Sequence, residues 1–114
     1  MKSLVLVLED DPIIAMDASE TMRHADFLVL GPCHSVKEAF DALQTQRPDV
    51  AILDLNLGQE TSEPVARHLK EIGVPFVILS GQETRSLSEE LQKELRLPKP
   101  FQEKQLISTI RSLL

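Results

Sequence analysis

The feature that most constrains this chain is an alternation. Short, almost unbroken apolar runs trade places with segments of helical period, five times over 114 residues. The runs are Leu4-Val5-Leu6-Val7-Leu8, Phe27-Leu28-Val29-Leu30, Val50 to Leu53, Phe76-Val77-Ile78-Leu79 and a short fifth at Leu97. A strand exposed on one face alternates apolar with polar residues; a continuous apolar run is buried on both faces, as in a parallel sheet covered by helices. The helical segments fit between them. One starts after Pro12 and runs from Ile13 to about Ala25, with Ile14, Ala18, Met22 and Ala25 on one face. Gly31-Pro32 ends the second run, and Ser35 with Glu38 forms a capping box ahead of Val36, Ala39, Phe40 and Leu43. A third helix starts near Thr61 or Ser62, turns Val65, Leu69 and Ile72 inward and stops at Gly73. Leu87, Leu91 and Leu95 mark a fourth as a core-facing stripe, and the last helix carries Leu106, Ile107, Ile110, Leu113 and Leu114. Five strand–helix units of this kind predict a three-layer, doubly wound α/β domain occupying residues 1–114.

Charge and composition narrow the function. Eighteen acidic against twelve basic residues give a net charge of −6, which argues against a nucleic-acid partner because phosphates must be met by Lys and Arg. No stretch reaches the ~18–20 apolar residues of a membrane span. Met1-Lys2-Ser3 leads directly into the first strand, unlike a signal peptide. The single cysteine, Cys33, excludes an intramolecular disulfide. A cytoplasmic domain with no membrane association is expected.

In doubly wound sheets, sites form beyond the carboxyl ends of the strands. Glu9, Asp10 and Asp11 follow the first strand, Asp54 the third, Ser80 the fourth and Lys99 the fifth. If the first and third strands are neighbours, Glu9, Asp10 and Asp54 converge. Three converging carboxylates repel, and a hard divalent cation with oxygen ligands relieves that repulsion; Mg²⁺ suits a site of one or two carboxylates and several waters. A metal, a lysine, a hydroxyl and a nucleophilic carboxylate are the parts needed to take up a phosphoryl group as an acyl phosphate.

The stretches Leu6-Val7-Leu8-Glu9-Asp10-Asp11-Pro12, Ile52-Leu53-Asp54-Leu55-Asn56-Leu57, Ile78-Leu79-Ser80-Gly81 and Leu97-Pro98-Lys99-Pro100-Phe101 together resemble the response-regulator receiver domains of bacterial two-component signalling, in order and over essentially the whole chain. The resemblance implies a flavodoxin-like (CheY-like) fold with five parallel strands in the order 2-1-3-4-5. By position it implies that Asp54 is the phosphoacceptor and that Ser80 and Lys99 hold the phosphoryl oxygens. It implies Mg²⁺ bound by Glu9, Asp10, Asp54 and the backbone carbonyl of Asn56, and a cis Lys99–Pro100 bond. The implied partners are a sensor histidine kinase or a histidine phosphotransfer protein, a downstream protein and, for many receivers, a second copy. Such a domain is a switch rather than an enzyme, either stand-alone or part of a longer regulator.

Three departures stand out. Arg96 occupies the place of the aromatic switch residue found in many receivers, the gap from Ser80 to Lys99 is short, and Gly81 replaces a small alanine. With Gly58-Gln59-Glu60-Thr61 these resemble a divergent alphaproteobacterial subgroup with a shortened fourth helix.

Three other readings compete for the same residues. Asp54-Leu55-Asn56 partly matches the Asp-x-Asp of haloacid-dehalogenase phosphatases, but Asn56 cannot act as the general acid. A flavodoxin-like nucleotide binder needs a phosphate loop where Glu9-Asp10-Asp11 would repel phosphate. A degenerate receiver that only binds partners conflicts with the intact acidic set. Asp11 reads as a helix cap, and His24, His34 and His68 read as surface or packing residues. Gln82 and Asn56 sit where they can tune water access to an acyl phosphate.

Overall fold

The computed structural model describes residues 2–81 and 88–114. Strand β1, Leu4–Leu8, shows how the apolar runs become a buried sheet. Alternate side chains of a strand point to opposite faces. Leu6 and Leu8 therefore enter one hydrophobic cluster, with Leu53, Ile78, Ala39, Val65 and Leu69. Val5 and Val7 enter the other, with Ile52, Val77, Leu79, Met22, Leu106 and Ile110. The first cluster lies under α2 (Val36–Thr45) and α3 (Glu63–Glu71), the second under α1 (Pro12–His24) and α5 (Glu103–Leu113). This is the predicted three-layer arrangement.

The main sheet joins β1, β2 (Leu28–Cys33), β3 (Val50–Asp54), β6 (Phe76–Ser80) and β7 (Arg96–Pro98) in the order β2-β1-β3-β6-β7, every pair parallel. It is the expected 2-1-3-4-5 order; the labels of the last two strands move up because a two-stranded hairpin, β4 (Asn56–Leu57) with β5 (Glu60–Thr61), follows β3. That hairpin is additional to the five predicted strand–helix units. Its turn is Gly58-Gln59, with Gly58 at φ 78°, the left-handed backbone that a two-residue hairpin turn requires at its first position.

Local chemistry sets the element ends. The Asp11 carboxylate accepts hydrogen bonds from the N–H groups of Ile13 (2.9 Å) and Ile14 (3.3 Å), so Asp11 caps α1 as read. Ser35 Oγ accepts from Glu38 N at 3.1 Å, but Glu38 Oε1 reaches His34 N, one residue earlier than a capping box prescribes. His68 packs edge-on against Phe40, and His34 pairs with Glu38.

Three expectations are corrected. First, β2 does not stop at Gly31-Pro32 but runs through a cis Gly31–Pro32 bond to Cys33. As an edge strand β2 tolerates a proline, and the register shift between Leu6 and Leu8 absorbs the irregularity as a bulge. Second, the fourth helix shrinks to α4, Glu89–Gln92. Leu91 is fully buried while Leu95 is 43% exposed, so the four-residue stripe is not a continuous core face, because four helical residues make about one turn. Leu87 and Gln82 lie outside the described residues. Third, α5 ends at Leu113 and Leu114 is exposed.

Candidate functional site

The carboxyl ends of β1, β3, β6 and β7 meet along one edge of the sheet, and the six predicted residues fall there. Glu9 follows β1 directly. Its N–H donates to Cys33 O at 2.9 Å, which ties it to the end of β2, and its Oε2 accepts from Asp11 N at 3.0 Å. Asp54 is the last residue of β3, where Leu55 N donates to Leu79 O at 3.1 Å. Both side chains are buried, Glu9 at 1% and Asp54 at 3% exposure. Lys99 comes in beyond β7, with its N–H donating to Ser80 O at 3.0 Å and a cis bond to Pro100. Its ammonium stands 3.0 Å from Glu9 Oε1 and 3.1 Å from Asp54 Oδ1, so one lysine bridges two buried carboxylates.

Asp10, next to Glu9 in a strand-end turn, is exposed. Ligand oxygens of Glu9, Asp10 and Asp54 lie within 4.8 Å of one another, close enough to share a cation. Asn56 opens β4 and lines the same open cavity of about 540 Å³, together with Asp10, Asp11, Ile14, Asp54, Gly81 and Lys99. Ser80 is half-buried at the end of β6, one residue before the cavity-lining Gly81. The predicted set thus falls on one edge. Asp11 is more than a helix cap: its backbone N–H also holds Glu9, a role without a side-chain signature.

The electrostatics follow from burial. Loss of water pushes the Asp54 carboxyl up to about 8, Glu9 beside it adds to the shift, and Lys99 works against it. Burial acts to lower the Lys99 ammonium, but Glu9 and Asp54 outweigh it and hold Lys99 above its ordinary value. Once Asp54 ionises, two carboxylates face one ammonium, an excess of negative charge that Asp54 avoids at lower pH by keeping its proton. Glu9 Oε1 is buried and lacks an aligned hydrogen bond, its company being the Lys99 ion pair. The three carboxylates offer only oxygen ligands, a set suited to a further hard cation.

Similarity to known proteins agrees with this geometry. The chain is 27% identical over 110 residues to the transcriptional regulatory protein PdtaR of Mycobacterium tuberculosis, covering 93% of this chain and 54% of PdtaR. It spans about half the length of the curated relatives it matches. Among solved structures it resembles SdrG from Sphingomonas melonis, with TM-score 0.84 and 31% identity over 98% of this chain and 96% of that one. It also resembles the chemotaxis protein CheY4 of Vibrio cholerae, with TM-score 0.82 and 26% identity over the full length of both. These likenesses give no support to the phosphatase reading. The response regulator receiver domain model matches residues 5–111, nearly the whole chain, and with the strand order and the clustered acids it establishes that the chain belongs to the response regulator receiver family.

Proposed function

We propose that the domain accepts a phosphoryl group on Asp54 and changes its partner binding in response. The observation that carries this reading is the buried Asp54 carboxylate, wedged against Glu9 with Lys99 Nζ 3.1 Å from its oxygen, at the mouth of an open cavity. In the transfer, an Asp54 oxygen bonds to phosphorus as the donor's phosphorus–nitrogen bond to histidine breaks, and the imidazole leaves with the bonding pair. Lys99 offsets the charge carried by the phosphoryl oxygens, and Ser80 offers a hydroxyl donor from the neighbouring strand end. The residues suited to Mg²⁺ are Asp10, Asp54, the Asn56 carbonyl and Glu9, the last acting through water; their oxygen donors and the meeting of three carboxylates around one lysine support that choice. When bound, Mg²⁺ supplies charge neutralisation for the incoming phosphate.

The donor in this reading is a sensor histidine kinase or a histidine phosphotransfer protein, and the output is a change in binding to a downstream protein or a second copy. It is a switch rather than a turnover enzyme. Residues 1–114 form one receiver domain, with no nucleic-acid contact by this domain. A cytoplasmic setting is supported by the family; among the described residues no helix is long and apolar enough to cross a membrane. The four-residue α4 supports placement in the subgroup with a shortened fourth helix. Exposed Arg96 reads as a solvated charge standing where many receivers carry an aromatic switch residue, and in this reading Asn56, together with Gln82 outside the described residues, tunes water access to the acyl phosphate.

The test is incubation with a small acyl-phosphate donor and Mg²⁺, read by intact mass. Wild type gains one phosphate and Asp54→Asn gains none. A wild-type chain that stays unlabelled, under conditions that label a control receiver, sinks the reading; an Asp54→Asn chain that labels normally sinks the choice of acceptor.

A further inference from the structure

The β4–β5 hairpin connects the candidate metal site to a distant helix end. Its first strand begins at Asn56, which lines the site cavity, and its turn passes Asp10: a side chain built on Gly58 would come within 3.9 Å of Asp10 Oδ2. Its second strand begins at Glu60, opposite Leu57 in the ladder. Glu60 does not face the site. Its Oε2 accepts the N–H of Val36, the first residue of α2, at 3.1 Å. That N–H has no partner within its own helix, and the end of the helix favours negative charge. The hairpin is also anchored to the body of the domain by buried Leu57 and by the Ser62 N–H donating to Leu55 O at 3.0 Å. Glu60 is the residue of the second strand whose side chain ties the hairpin to the start of α2. The same α2 end follows Cys33, whose carbonyl holds Glu9 N at 2.9 Å, so Glu60 closes a ring of contacts from one metal-ligand candidate to another.

We propose that Glu60 is a positioning residue. By clipping the hairpin to the start of α2, it holds the Asn56 backbone at the distance from Asp10 and Asp54 that a shared cation needs. The inference rests on the metal reading above and deepens it. Glu60 touches neither the cation nor the phosphoryl group, and its effect passes through the backbone of residues 56–60. An indirect support of this kind weakens binding less than loss of a partner bonded to a ligand itself, which costs ~10–100-fold.

The experiment compares Glu60→Ala, which removes the acceptor, with Glu60→Gln, which keeps an oxygen in place without the charge. Mg²⁺ affinity is measured by titration calorimetry. Amide hydrogen exchange of Val36 and of residues 56–62 is followed in the metal-free protein. Glu60→Ala is expected to bind Mg²⁺ about threefold to tenfold more weakly and to exchange these amides faster, while Glu60→Gln returns both towards wild type. Wild-type affinity in Glu60→Ala overturns the proposal. So does a Glu60→Gln variant as weak as Glu60→Ala, because the effect would then be charge and not position. A wild-type chain that takes up no Mg²⁺ defeats the metal reading and this proposal with it. Normal uptake in both wild type and Glu60→Ala defeats this proposal alone.

Discussion

At the scale of single residues, Asp54 and Cys33 show how burial sets chemistry. Asp54 in the metal-free fold is held up to about 8 by desolvation and by Glu9, against an ordinary value of 3.8. A carboxyl raised on folding binds more protons in the folded than in the unfolded state. Its contribution to stability is complete below the unfolded value and is lost as pH rises through the folded one. Metal-free wild type should therefore lose melting temperature between about pH 4 and pH 8 relative to Asp54→Asn, which cannot ionise there. At pH 8 the variant should be the more stable by about 1–2 kcal/mol. Parallel melting curves across that window would remove the argument. Cys33 is a separate case. Burial first, and then Glu38, push its thiol up to about 11, and it is 4% exposed. A thiol in that state is a small hydrophobe, not a nucleophile. It should resist a thiol reagent in the native protein at pH 8 and react at once in denaturant.

The elements show where sequence reasoning succeeds and where it stops. The β1, β3 and β6 strands were legible because they are buried on both faces, and nothing but a continuous apolar run satisfies that environment. Glu9, Asp10, Asp54, Ser80 and Lys99 were legible for a related reason: each is a polar residue abruptly ending or following such a run. The β4–β5 hairpin was not, since two-residue strands are too short for any period, and Gly58-Gln59 between Leu57 and Glu60 was its sole signal. The true end of β2 was hidden because Gly-Pro usually marks a break, whereas here it sits inside an edge strand. The geometry at Gly31 explains why this works. Its φ is 108°, and a Cβ there would lie 2.6 Å from Cys33 N and 3.1 Å from Val7 O, both backbone atoms that cannot swing away. Gly31→Ala should cost about 2–3 kcal/mol in denaturant unfolding. Gly58→Ala shares the unusual backbone angle but meets its nearest side-chain neighbour only at 3.9 Å, so it should cost about 1 kcal/mol. Equal losses at the two sites would mean that backbone angle alone, and not crowding, decides the outcome.

For the whole molecule, the consequence of the fold is that the site exists only when the sheet does. Glu9 and Asp10 come from the end of β1, Asp54 from the end of β3, and Lys99 from beyond β7; in the unfolded chain they are far apart. The domain also carries a net charge of −6, and part of that excess is concentrated at this edge, where one lysine faces two buried carboxylates with Asp10 beside them. A cation that binds the cluster binds the folded state almost exclusively, so its binding free energy appears in full as stability. At a Mg²⁺ concentration of a hundred times its Kd, the gain is about 2.7 kcal/mol. In a domain of this size that corresponds to a rise in Tm of about 8–12 °C, at constant ionic strength and pH 8. General screening of surface acids predicts a different pattern, because it acts on exposed carboxylates wherever they lie. Asp41→Asn, on the exposed face of α2, should therefore keep the whole rise, and the Asp10→Asn, Asp54→Asn double variant should lose nearly all of it. A rise that survives in the double variant would assign the stabilisation to the charge of the molecule as a whole, and take the cation out of the site beyond the carboxyl ends of β1 and β3.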